Sequence, residues 1–104
     1  MQQRMTRAAQ VICQSKKTLA LTGAGISVES GIPDFRSRGG LWERFDPIEY
    51  ATIEAFQADP EKVWKMLVEV SVLLDQARPN PAHTGLGQLQ ELGLLHTIIT
   101  QNID

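Results

Sequence analysis

The chain has 104 residues, enough for one small domain or for part of a larger one. It is 42% hydrophobic and 21% charged with a formal net charge of -2, and without a basic block electrostatic nucleic-acid binding has little support. No apolar run approaches the roughly 18 residues that span a membrane, and Met1 to Lys17 lacks the continuous apolar core of a secretory signal.

Residues 3–14 read as a short amphipathic helix, with Met5, Ala8, Val11 and Ile12 near helical spacing. Cys13 lies in it as a small buried hydrophobe. Being the only cysteine, it excludes an intrachain disulfide and a cysteine-only zinc site, and it fits a reducing, cytoplasmic compartment. Thr18 to Thr22 is a β-rich, mostly apolar run that predicts a strand. Gly23-Ala24-Gly25-Ile26-Ser27 follows as a glycine turn and a helix start, which Gly31 and Pro33 end early. From Gly31 to Pro47 neither period fits. The stretch is rich in Gly, Pro, Arg and Asp, with Phe35, Trp42 and Phe45 among them, and reads as a functional or mobile loop. Residues 34–46 offer little apolar burial and are expected to be the least ordered part before a ligand binds.

Residues 52–58 predict a short helix with Thr52 as N-cap. Asp59-Pro60-Glu61 is a strong helix start, and Val63, Leu67, Val70 and Leu74 form one face of a helix running to about Ala77. Trp64 and Met66 belong to its packing. Arg78-Pro79 breaks it, and Asn80-Pro81 starts another helix, with a buried stripe of Ala82, Leu86, Leu89 and Leu92 and with Gly93 at C′. His83 reads as a hydrogen-bonded structural histidine. His96 to Thr100 is a second strand, with His96 exposed or semi-buried at its start. The chain closes on Gln101-Asn102-Ile103-Asp104.

This order of helix, strand, loop, helices and strand predicts an α/β fold, the N-terminal part of a Rossmann-like parallel-sheet domain joined by a right-handed crossover. Two strands leave edges and faces uncovered, so residues 1–104 read as one partial domain. Alone they are expected to be molten, aggregating or dependent on a partner.

Gly23-x-Gly25 after a strand is a turn that lets backbone N–H groups approach a phosphate, although such turns also arise for purely steric reasons. The ordinary dinucleotide fingerprint fails: the third glycine position is Val28, and the ribose-binding acid about 20 residues on is missing. A dehydrogenase-like grip is therefore disfavoured.

Gly23-Ala24-Gly25-Ile26-Ser27, Ser30-Gly31-Ile32-Pro33-Asp34-Phe35-Arg36 and Gly40-Leu41-Trp42 resemble the first signature of the sirtuins, here of the bacterial type. Pro79-Asn80-x-x-His83 and Thr100-Gln101-Asn102-Ile103-Asp104 resemble two further segments of that family, in the right order. The resemblance runs from about Thr18 to Asp104 and implies an NAD-dependent protein-lysine deacylase that moves an acyl group from lysine to ADP-ribose and releases nicotinamide. It implies that Gly23, Ala24, Gly25 and Val28 line the NAD phosphates and adjoining ribose. Phe35 covers the reacting ribose carbon, and Arg36 helps order the cofactor on a mobile loop. Gln101 and Asn102 contact the nicotinamide-side ribose, Asn102 in support of catalysis. Ile103 and Asp104 form the nicotinamide pocket, with the Asp104 carboxylate accepting from the carboxamide. Read without the motif, Phe35 and Trp42 are loop anchors, Arg36 is a solvated charge and Asp104 a strand-end acid.

The family's catalytic histidine, its Cys-x-x-Cys zinc module and its adenosine-binding strands are expected beyond Asp104. Residues 1–104 alone are therefore expected to be inactive, and a non-catalytic remnant that binds NAD or a partner weakly is the alternative. The implied partner is an acyl-lysine protein. A sirtuin branch that prefers succinyl and malonyl groups reads their carboxylate with a Tyr and an Arg three residues apart. Aligned through Val63-Trp64, those positions are Leu67 and Val70, which implies neutral acyl groups such as acetyl.

Overall fold

The computed structural model describes every residue from Met1 to Asp104. Its elements in chain order are α1 (Gln2–Gln14), β1 (Leu19–Thr22), a 3-10 helix (Ala24–Ser30), α2 (Leu41–Arg44), α3 (Pro47–Tyr50), α4 (Ile53–Ala58), α5 (Pro60–Gln76), α6 (Pro81–Glu91) and β2 (Thr97–Thr100). They divide into two units. Met1–Gly23 and Pro81–Ile103 make the first; Ala24–Asn80 with Asp104 makes the second.

In the first unit β1 and β2 pair in parallel, from Leu19 opposite Thr97 to Thr22 opposite Thr100. The His96 N–H donates to the Thr18 carbonyl at 2.8 Å and extends the ladder by one step. A parallel pair needs a crossover, which agrees with the expected α/β class. Leu95, 3% exposed, is the buried hydrophobic residue of this unit. Gly93 ends α6 as expected: its φ is 71°, and the Leu94 N–H returns to the Leu89 carbonyl at 2.9 Å. The stripe of α6 is narrower than its spacing predicts. Leu86 and Leu89 are half-buried, but Ala82 is exposed and Leu92 is 72% exposed. Helix α1 buries no residue, and Cys13 is exposed rather than buried. A two-stranded sheet carries too little apolar surface to cover a 13-residue amphipathic helix.

The second unit opens with the 3-10 helix, where the pattern predicts the start of an α-helix. Gly31 takes a φ of 86°, and the Gly31 N–H returns to the Val28 carbonyl at 3.0 Å, so the chain turns before α-helical bonding is established. The expected loop follows, but it is not shapeless. The Asp34 carboxylate accepts from the Ser37 N–H at 3.0 Å and from the Ser37 hydroxyl. The Leu41 and Trp42 N–H groups donate to the Asp34 and Phe35 carbonyls at 2.7 and 3.0 Å. Gly40 lies inside this clasp. A Cβ there would meet the Asp34 and Ser37 carbonyl oxygens at 2.8 Å. Gly40→Ala should therefore open the clasp, at a cost of about 1–3 kcal/mol. Hydrogen exchange at Leu41 and Trp42 checks this, since those N–H groups should lose protection.

Two Asp-Pro pairs start helices in the same way. Asp46 accepts from the Ile48 N–H at 2.8 Å and caps α3, a helix the sequence reading left within or beside its loop. Asp59 accepts from the Lys62 N–H at 3.0 Å and caps α5, while Thr52 caps α4 through the Ala55 N–H at 3.1 Å. The core of this unit is Leu41, Val63 and Met66, each less than 10% exposed. The buried line of α5 therefore runs through Met66 and not Leu67. Val63 is buried and Val70 and Leu74 are half-buried, as the spacing predicts, whereas Leu67 is 39% exposed and Trp64, expected to pack, is 57% exposed.

Candidate functional site

The sequence motifs fall into two groups, one in each unit. In the first unit, parallel pairing sets the carboxyl ends of β1 and β2 side by side, with Thr22 opposite Thr100. Open α/β sheets bind ligands beyond such strand ends. Gly23 leaves β1 there, and Gln101-Asn102-Ile103 leaves β2. The Asn102 side-chain amide donates to the Gly23 carbonyl at 3.0 Å, and its backbone N–H donates to Thr100 Oγ1 at 3.0 Å. Asn102 is thereby fixed against the start of the glycine turn. Gln101 is exposed and Ile103 is 88% exposed.

Gly23 and Gly25 both have φ values outside the left-handed region, and a Cβ at either would meet nothing within 4 Å. The sterics of this chain therefore do not require glycine at these positions. What remains is the room that a missing side chain leaves for another molecule to approach the backbone.

In the second unit Ala24, Gly25 and Val28 lie along the 3-10 helix, with Val28 44% exposed. The same helix holds Ser27, 1% exposed, whose hydroxyl donates to Asp104 Oδ2 at 2.5 Å. Asp104 is therefore more than a solvated strand-end acid: a buried donor restrains one of its oxygens. Sequence reasoning named Asp104 but not Ser27, although Ser27 stands in the quoted Gly-Ala-Gly-Ile-Ser run. It read Asn80 as a helix start and as part of a family segment, and gave it no role in the site. Asn80 is 7% exposed, and its side-chain amide donates to the Ile26 carbonyl at 2.7 Å and to Ser30 Oγ at 3.0 Å. On the clasp, Phe35 packs against Trp42 with ring centroids 5.1 Å apart and stays 44% exposed, and Arg36 is exposed.

A separate open groove of about 360 Å³ includes Phe45, Tyr50, Lys62, Met66 and Glu69 among its walls and holds none of the expected site residues. Its Lys62 is committed. The hydrogen bond to Glu49 at 2.8 Å raises the ammonium pKa above its ordinary value, and the same ammonium lies 4.6 Å from the Tyr50 ring centroid.

Comparison with known proteins gives one answer from sequence and structure. The Sir2 family is matched over residues 23–104. An NAD-dependent protein deacetylase of Caldivirga maquilingensis is 49% identical over 98 residues, which is 94% of this chain and 38% of that protein. The chain thus spans about two fifths of the length of the curated relatives it matches. A Sir2 homologue variant solved with ADP-ribose is 48% identical with a TM-score of 0.90, over 94% of this chain and 39% of that one. A Sir2 variant solved with a deacetylated p53 peptide and 3′-O-acetyl ADP-ribose is 39% identical with a TM-score of 0.88, over 95% and 40%. Matched from its glycine turn through the segment after β2, the chain belongs to the Sir2 family, the sirtuins.

Proposed function

We propose that residues 1–104 are the amino-terminal part of the NAD-binding domain of a cytoplasmic sirtuin that removes acyl groups from protein lysines. The observation that carries this reading is the Ser27–Asp104 hydrogen bond. A carboxylate held by a buried hydroxyl is a directional acceptor, suited to a carboxamide N–H. In this reading Asp104 takes the nicotinamide carboxamide and Ile103 packs beside the ring. Gln101 and Asn102 take the adjoining ribose, with Asn102 oriented by Gly23. Gly23, Ala24, Gly25 and Val28 line the diphosphate and its ribose. Phe35 would shield the reacting sugar carbon from water as nicotinamide leaves, and Arg36 would help order the cofactor. NAD supplies the ADP-ribosyl group that receives the acyl group. The relatives' names and bound molecules support this assignment, since they include NAD dependence, ADP-ribose, an acetylated ADP-ribose and a deacetylated peptide.

The glycine turn offers a direct test. In the intact protein Gly25→Ala should leave the melting temperature unchanged or slightly raised, because its Cβ enters open space and shortens the list of unfolded conformations. ADP-ribose should bind on the order of tenfold more weakly, through crowding at the diphosphate. Calorimetric titration beside a thermal melt separates the two. Unchanged affinity would remove the turn from the binding site.

We place the general-base histidine outside these residues. A purified polypeptide of residues 1–104 should therefore release no nicotinamide from NAD and an acetyl-lysine peptide, since loss of such a base costs about 10²–10⁴-fold. Clear turnover by that polypeptide, free of host sirtuin, would defeat this placement.

A further inference from the structure

Asn80 lies between two prolines, Pro79 and Pro81, in the connection that follows α5. It is one of two buried polar residues, the other being Ser27. Both N–H bonds of its side-chain amide go to the 3-10 helix: one to the Ile26 carbonyl at 2.7 Å, the other to Ser30 Oγ at 3.0 Å. These acceptors bracket Ser27 in sequence, and Ser27 donates to the Asp104 carboxylate.

A 3-10 helix has weaker hydrogen-bond geometry than an α-helix, and runs beyond three or four residues are uncommon. This one has seven. A clamp on both sides of Ser27 therefore governs where its hydroxyl points. Prolines on either side restrict the backbone of Asn80, so the clamp is itself held.

We propose that Asn80 is a positioning residue for nicotinamide recognition: it sets the 3-10 helix so that Ser27 holds the Asp104 carboxylate in the orientation that accepts the carboxamide. This rests on the reading of Asp104 given above. Asn80 does not touch the cofactor; it acts through Ser27. Replacing the amide by a carboxylate of the same size keeps the volume but turns a donor into an acceptor facing the Ile26 carbonyl, so it removes the clamp without opening a cavity.

The test uses the intact protein with Asn80→Asp, Ser30→Ala, Ser27→Ala and Asp104→Asn. It measures nicotinamide inhibition of deacylation and, separately, ADP-ribose binding by calorimetry. Asn80→Asp should weaken nicotinamide inhibition about tenfold and Ser30→Ala about threefold, the worth of one or two buried hydrogen bonds. ADP-ribose affinity should stay within about twofold, and Asn80→Asp should add little in a Ser27→Ala background, because coupled residues are not additive. Should Asn80→Asp fail to fold, Ser30→Ala carries the test, since it removes one acceptor of the clamp and leaves Asn80 in place. Equal losses for nicotinamide and ADP-ribose, or full additivity with Ser27→Ala, would make Asn80 merely structural and overturn the proposal. If Asp104→Asn weakens nicotinamide while Asn80→Asp and Ser30→Ala do not, the positioning role alone falls. If Asp104→Asn has no effect, the carboxamide role of Asp104 falls and takes the positioning role with it.

Discussion

Asp104→Asn should lower kcat/KM for deacylation by about 10²–10³-fold, the range found when one preorganised electrostatic contact is removed from an active site. The substitution keeps the size of the side chain and an oxygen that can still accept from Ser27, which donates to Oδ2 at 2.5 Å. It removes the negative charge and places an amide N–H where the carboxylate would face the carboxamide. The loss should therefore appear in nicotinamide release and nicotinamide inhibition, with the melting temperature little changed. Steady-state kinetics on the intact protein, with nicotinamide as product and inhibitor, checks both. Near-normal turnover would return Asp104 to the status of an exposed strand-end acid.

Acetyl-lysine should be preferred over succinyl-lysine by about 10²-fold or more in kcat/KM, because a site must pair a carboxylate it buries. By the family resemblance, the positions that correspond to the anion-reading pair are Leu67 and Val70, both on α5. They are neighbours on the helix surface, and neither offers a cation or a hydroxyl. Leu67 is 39% exposed and Val70 half-buried, so the pair is partly accessible rather than sealed in the core. Matched acetyl and succinyl peptides compared on the intact protein give the answer. Faster desuccinylation would sink the assignment. The converse variant, Leu67→Tyr with Val70→Arg, should narrow the gap by raising the succinyl rate.

Local rules made much of this fold legible. Asp59-Pro60 caps α5 and Gly93 closes α6 in a left-handed turn, each through bonds that a few adjacent residues complete. Asp46-Pro47 carries the same signal and starts α3, but it stood at the edge of a Gly- and Arg-rich stretch and was read as its end. Spacing placed Val63, Val70 and Leu74 on the covered side of α5, but Leu67 is exposed, because which residues of a helix are covered depends on what packs against it from elsewhere in the chain. The motifs carried the site positions from Gly23 to Asp104 by resemblance. The bonds that organise them were not legible. Ser27 meets Asp104 across 77 residues, Asn80 meets Ile26 across 54, and Asn102 meets Gly23 across 79. No local pattern encodes such pairings, because each depends on how distant segments pack.

The Asp34 clasp has a thermodynamic consequence. Residues 34–42 are tied to one another by backbone bonds, by the Asp34–Ser37 contacts and by the packed rings of Phe35 and Trp42. Such a segment shifts as a stiff plate rather than as a string of independent links. A floppy loop that settles on a ligand forfeits about 1–2 kcal/mol of backbone freedom per residue. A plate that swings into place has already surrendered most of that freedom on folding. If the segment closes on NAD as proposed, that closure should draw correspondingly little from binding energy.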